Sequence, residues 1–70
     1  MNEKAAIIYL DVLVGCEVTV LDKNNNVHTG IMYRNTQKEL YYGIRDSIII
    51  YPRDVHRIDV RDRVIRLKLV

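Results

Sequence analysis

Apolar and polar residues alternate along much of this chain, most regularly in residues 15–30. Residues 16–20 alternate strictly, which predicts a strand with one apolar face. The polar run 22–26, Asp-Lys-Asn-Asn-Asn, is typical of a tight turn because Asp and Asn tolerate left-handed backbone. A return strand is predicted over residues 27–33. This segment therefore predicts a β-hairpin.

The later apolar runs predict three further strands, over residues 40–44, 48–51 and 65–69. The run Ile48-Ile49-Ile50 lacks alternation, which predicts a strand covered on both faces. Pro52 ends that strand because proline has no N–H to donate. The spacing of Val55 and Ile58 then predicts one tight helical turn. A change of strand parity near residues 61–63 predicts a bulge or a short turn.

The first segment, residues 2–14, fits two periodicities. Ile7, Leu10 and Val14 form a helical stripe, and the asparagine that opens the segment is a favourable N-cap. Residues 5–14 also contain an alternating row that is compatible with a strand. We favour a short helix that ends near Gly15.

Glycines inside two predicted strands, Gly30 and Gly43, indicate points where a strand bends or bulges. A strand that curls to close a barrel needs such points. Five or six short strands, tight turns and a leading helix predict a mainly β fold. We expect a small, strongly bent antiparallel barrel that occupies residues 1–70 as a single domain.

The size and the cysteine content refine this expectation. A 70-residue chain buries only roughly 60% of its unfolded surface, so self-association is a natural way to add to its core. The single cysteine excludes an internal disulfide and fits a reducing compartment. Because the N-terminal apolar run is short and interrupted by Asp11, we expect neither a signal peptide nor a membrane span, and hence a cytoplasmic protein.

The order of elements resembles the Sm-like barrel, in which a helix precedes five curved strands. The matching positions are Gly15, Val18-Thr19-Val20, Asn24-Asn25, Gly30 and Ile31-Met32. In that family the first motif continues with an Asp and an Asn that line a uridine-binding pore, and here only Asn35 corresponds. The Arg-Gly pair of the second motif is absent from residues 48–52. The resemblance implies the fold but not the RNA pocket.

The turn that begins at Pro52 resembles instead the short helical turn before the last strand of SH3-like barrels. Sm-like and SH3-like architectures therefore both remain open.

The sequence contains no pattern typical of a catalytic or metal site. His28 and His56 are its only histidines, and no cysteine or acid pair lies at metal-ligand spacing from either. Nucleophilic catalysis requires a base, held by a third group, near Cys16, Ser47 or a threonine, and no spacing indicates one. The three glycines lie too far apart for a phosphate-binding loop. We expect no cofactor, no small-molecule substrate and no enzymatic activity.

Charge is concentrated at the C-terminal end. Residues 53–70 contain six basic and three acidic residues, whereas residues 1–52 contain five basic and six acidic ones. We predict a nucleic-acid-binding surface there, with Tyr51 as a face for base stacking. The predicted residues are Arg53, Arg57, Arg61, Arg63, Arg66, Lys68 and Tyr51. The alternative is that the basic residues pair with Asp54, Asp59 and Asp62 and only solvate a strand.

The prediction from sequence is thus a non-enzymatic binding module. It self-associates through strand edges and presents a basic surface to RNA or single-stranded DNA. The alternative is a protein-interaction or structural assembly module with no nucleic-acid role, which the mixed charges of residues 54–62 favour.

Overall fold

A computed structural model describes residues 1–70 and contains one helix followed by six strands. The elements are α1 (Glu3–Leu13), β1 (Glu17–Leu21), β2 (Val27–Asn35), β3 (Tyr41–Ile44), β4 (Ile48–Ile50), a 3₁₀ turn (Pro52–Asp54), β5 (Val55–Arg61) and β6 (Val64–Leu69). The mainly β fold and the favoured N-terminal helix are confirmed. The single helix, α1, has only 11 residues, too few to span a membrane.

Both ends of α1 follow from local sequence. The Asn2 Oδ1 atom accepts a hydrogen bond from the Ala5 N–H at 2.8 Å, which satisfies one of the free donors of the first turn. After Leu13 the chain reverses at Gly15, whose φ of 87° is left-handed backbone that glycine adopts without strain. The Gly15 N–H donates to the Met32 carbonyl at 2.9 Å and so ties the reversal to β2.

The buried face of α1 differs slightly from the predicted stripe. The helix buries Ala6, Leu10 and Leu13 rather than Ile7, Leu10 and Val14. Ala6 is fully buried and belongs to the same hydrophobic cluster as the buried residues of the strands. The opposite face exposes Ile8, Tyr9 and Val12.

The six strands form one sheet, in the order β4-β3-β2-β1-β6-β5, that curls into a half-barrel. The first half of β2 pairs with β1 and its second half with β3. All neighbours are antiparallel except β1 and β6, which are parallel, so the wholly antiparallel expectation was wrong for this pair. A tight turn at Asp62 and Arg63, both with positive φ, sends β6 back from β5 in the direction of β1. This turn is the parity break predicted near residues 61–63.

A glycine in β2 lies where a neighbouring residue leaves no room for a side chain. A Cβ atom at Gly30 would lie 2.6 Å from Cγ2 of Ile44 in β3. Gly43 is equally confined, because a Cβ atom there would lie 2.7 Å from both the Tyr33 hydroxyl and the Ile48 carbonyl. Both glycines predicted as bending points therefore lie where a side chain would collide with a neighbouring residue.

Two predictions for residues 48–58 were wrong in detail. Ile49 is half exposed, so its face of β4 is not covered by other elements as that prediction requires. The helical turn is also shorter than predicted. It ends at Asp54, and both Val55 and Ile58 lie in β5.

A polar contact joins α1 to the sheet beside the apolar core. Tyr42 is fully buried among the core residues, and its hydroxyl donates a hydrogen bond to Oδ1 of Asp11 in α1. The same oxygen lies 3.4 Å from Nε of Arg34. Burial of the phenol, followed by the hydrogen bond to Asp11, raises the pKa of Tyr42 from 10.0 to about 12. The helix is thus held by a buried hydroxyl as well as by apolar packing.

We expect Tyr42→Phe to lower the free energy of unfolding by about 1–3 kcal/mol, because the mutation removes a hydrogen bond to a charged acceptor. In the unmutated protein, stability should also fall as the pH rises from 10 to about 12, since the unfolded chain loses the phenolic proton first. Urea unfolding across this pH range measures both effects.

The matched control is Tyr9→Phe, which removes a hydroxyl from the exposed face of α1. It should change neither the stability nor its alkaline dependence. If the two variants had the same free energy of unfolding and the same dependence on alkaline pH, the role assigned to Tyr42 would be contradicted.

Candidate nucleic-acid interface

Strand register places most of the predicted basic residues on the outer face of the sheet, which is the face turned away from α1. Val18 and Val20 of β1 are buried in the core, so Thr19 between them belongs to the outer face. Arg66 of β6 lies opposite Thr19, and Asp59 of β5 lies opposite Arg66. The pairing of three strands therefore brings residues distant in sequence onto one surface.

A groove of about 790 Å³ runs over this face. Its charged lining residues are Arg57, Asp59, Arg61, Arg66 and Lys68, and its other side chains include Thr19, Leu21 and Val27. We call this surface the basic groove. It brings together four of the seven residues predicted to bind nucleic acid.

Most cations of the basic groove have no anionic partner. Nε of Arg57 lies 2.8 Å from Oδ2 of Asp59, and this is the only ion pair among the groove residues. Arg61, Arg66 and Lys68 form none, so the arginine–aspartate pairing expected under the alternative occurs only once. Because like charges crowd one surface, an anion bound there would relieve their mutual repulsion.

The other three predicted residues lie outside the basic groove. Arg63 occupies the turn between β5 and β6. The Arg53 guanidinium carbon lies 4.4 Å from the centre of the Tyr51 ring, a cation–π contact that occupies one ring face. The Tyr51 hydroxyl donates to Oε1 of Glu39 at 3.3 Å, and the charge of Glu39 raises the pKa of Tyr51. Tyr51 is therefore engaged within the protein and does not line the groove.

A second polar cluster joins two turns. The imidazole of His28 in β2 makes two contacts. Its Nδ1 atom lies 2.6 Å from Oγ of Ser47, a residue of the turn between β3 and β4. Its Nε2 atom lies 2.9 Å from Oδ2 of Asp22. The other carboxylate oxygen of Asp22 accepts hydrogen bonds from the backbone N–H groups of Asn24 and Asn26, at 2.8 and 2.9 Å. The hydrogen bond with His28, followed by the backbone contacts, lowers the pKa of Asp22 from 3.8 to about 2.

No pattern along the sequence predicts this cluster as a whole. Its residues lie 6 and 19 positions apart, and only the pairing of β2 with β1 and β3 brings them together. An Asp at the start of a turn, followed by a His on the return strand, is the one local signal. No group of three or more His, Cys, Asp or Glu side chains is arranged to hold a metal ion.

Comparison with known proteins identifies no relative. No protein-family model, no curated protein and no solved structure matches this chain. The function therefore has to be inferred from the groove and its charges.

Asp22→Asn should lower the melting temperature at neutral pH, because a neutral amide replaces the carboxylate that accepts three hydrogen bonds. Since the folded-state pKa of Asp22 is depressed, its contribution is complete above pH 3.8 and is lost as the pH falls towards 2. The variant should therefore lose less stability than the unmutated protein across this acid range. Thermal unfolding followed by circular dichroism provides the measurement.

Asp62→Asn is a suitable control, because it makes the same change in another hairpin turn. It should retain the acid dependence of the unmutated protein. Identical acid curves for all three proteins would show that Asp22 contributes nothing specific.

Proposed function

We propose that this protein is a non-enzymatic binding module that self-associates and holds RNA or single-stranded DNA in the basic groove. The observation that carries the proposal is the presence of Arg61, Arg66 and Lys68 in one groove without any ion-pair partner. Unpaired cations on a shared surface favour a polyanion over a single small anion.

The chemistry of the basic groove supports recognition of phosphates rather than bases. Its cations alternate along neighbouring strands, and side chains on one face of a strand repeat about every 7 Å. No aromatic side chain lines the groove, so it offers no stacking platform. We therefore propose binding with little sequence preference and a strong dependence on salt.

Self-association is the second part of the proposal, with β5 as the contact. This strand ends the sheet and has seven residues, and its outer edge pairs with no other strand. Two copies of β5 related by a two-fold axis at Ile58 would bring Arg57 of each copy opposite Asp59 of the other. Opposite charges across an antiparallel pair contribute about 0.2–1 kcal/mol each. The two grooves would then lie side by side on one continuous sheet.

We further propose that the half-barrel is related to Sm-like or SH3-like barrels. The N-terminal helix, the hairpin bent at Gly30 and the 3₁₀ turn at Pro52 support this relation. The Sm-like order has a helix and five strands, whereas this chain has a sixth strand, β6, which runs parallel to β1. A cytoplasmic location is also proposed, and the single, unpaired Cys16 is consistent with it.

Nucleic-acid binding can be tested by the fluorescence anisotropy of a labelled single-stranded RNA at several salt concentrations. Three or four phosphate contacts predict that log K falls with log salt with a slope of about −2 to −3. Arg66→Gln should weaken binding and reduce the magnitude of this slope by about 0.7 to 1.

Arg45→Gln is the matched control, because it removes the same charge from the turn between β3 and β4, outside the groove. It should leave the slope unchanged. An equal loss of RNA affinity in both variants would indicate that RNA is attracted only by the net charge of the protein. No binding even at low salt, together with a stable oligomer, would favour the assembly module without nucleic acid.

Self-association can be tested by light scattering without nucleic acid. The unmutated protein should form a dimer, and Asp59→Arg should dissociate it because like charges would then face each other across the two-fold axis. The double variant Arg57→Asp/Asp59→Arg should restore the dimer, since it exchanges both charges. A monomeric unmutated protein would contradict the proposal. If the double variant did not form a dimer, the pairing of two β5 strands about Ile58 would be excluded.

A further inference from the structure

The single serine of the chain contacts a histidine that is itself held by a carboxylate. Oγ of Ser47 lies 2.6 Å from Nδ1 of His28, and Nε2 of the same ring lies 2.9 Å from Oδ2 of Asp22. Ser47 is exposed, whereas His28 and Asp22 are mostly covered, with side-chain exposures of 21% and 16%. A covered base thus contacts a hydroxyl that solvent and reagents can reach.

Hydrogen-bond chemistry fixes the direction of the contact with Asp22, and the contact with Ser47 follows for a neutral ring. Ionised Asp22 can only accept, so Nε2 of His28 must carry a proton and donate it to the carboxylate. In a neutral imidazole the other nitrogen, Nδ1, then has a free lone pair and accepts the Ser47 O–H. Asp22 is held in turn by two backbone N–H groups, which keep the ring in this orientation.

From this geometry we infer that Ser47 is an activated nucleophile that reacts with small, electrophilic acyl esters and phosphonofluoridates, with His28 as its general base. In the reaction with a phosphonofluoridate, Oγ of Ser47 forms a bond to phosphorus and its proton passes to Nδ1 of His28. The phosphorus–fluorine bond breaks, and fluoride leaves with its electron pair. His28 then releases the proton to solvent, so that one hydrogen fluoride is formed for each serine modified. With an acyl ester, Oγ bonds to the carbonyl carbon, the ester C–O bond breaks, and the alcohol leaves with the proton that His28 returns.

The arrangement differs from a protease triad in ways that limit its substrates. The ring is reversed, because Nδ1 rather than Nε2 contacts the serine. The Ser47 N–H donates to the Ile44 carbonyl at 3.1 Å and is therefore not free to stabilise an oxyanion. Ser47 also lines neither the basic groove nor the cavity beside Arg45 and Asp46. Reagents with good leaving groups, which need little further stabilisation, are the class that fits.

The test is labelling with a fluorophosphonate probe, followed by mass mapping of the modified residue. The folded protein should be labelled at Ser47, and the urea-unfolded chain should not be. His28→Gln should lower the labelling rate on the order of 100-fold, the contribution expected of a general base. His56→Gln, a change to the other histidine, should leave the rate unchanged.

A nitrogen-resolved NMR spectrum of the imidazole gives a second test that does not rely on a variant. His28 should carry its proton on Nε2, and Asp22→Asn should disturb this tautomer preference, as expected for a positioning residue. A proton on Nδ1, no labelling of the folded protein, or equal labelling of the folded and unfolded chains would overturn the inference. His28 would then only brace the two turns.

Discussion

At Gly30 the side chain of Ile44 occupies the space that any other residue would need for its Cβ atom, 2.6 Å away. In the curled sheet β2 pairs with β1 up to Ile31 and with β3 from Met32 onwards, so Gly30 lies just before the point where the strand changes partner. The curl makes a concave face that α1 can close with only three buried residues. A chain of this size could not cover a flat sheet with one short helix.

The same curl separates two kinds of surface. Apolar side chains converge on the concave face and form a core of twelve buried hydrophobic residues, with the Tyr42 hydroxyl bonded to Asp11 beside it. The opposite face receives the alternate residues of β1, β5 and β6, and with them four cations and one nearby aspartate. Because β6 pairs with β1 on one side and with β5 on the other, Arg66 and Lys68 lie between these two strands rather than at the edge of the sheet. The order of the strands thus gathers on one surface positive charges whose excess along the sequence is small.

Local signals were sufficient to predict much of the fold. The hairpin of residues 16–33, the cap at Asn2 and the break near residues 61–63 follow from turn chemistry and strand parity, which act over a few residues. The exposure of Ile49 was not predictable, because it depends on which distant elements pack against that face of β4. The contact of His28 with Ser47 was missed for the same reason, since it depends on strand pairing across 19 residues. The basic residues were predicted as a group. Only the pairing of the strands shows which of them line the groove and that Arg53 and Arg63 do not.

We propose that the basic groove, and not the C-terminal segment as a whole, binds nucleic acid. Backbone amide NMR spectra recorded during titration with a short single-stranded RNA distinguish these two surfaces. We expect chemical-shift changes to cluster on Thr19, Arg57, Arg66 and Lys68, and we expect the amides of Tyr51 and Arg53 to shift little. Shifts centred on Tyr51 and Arg53, or spread evenly over all basic residues, would contradict it.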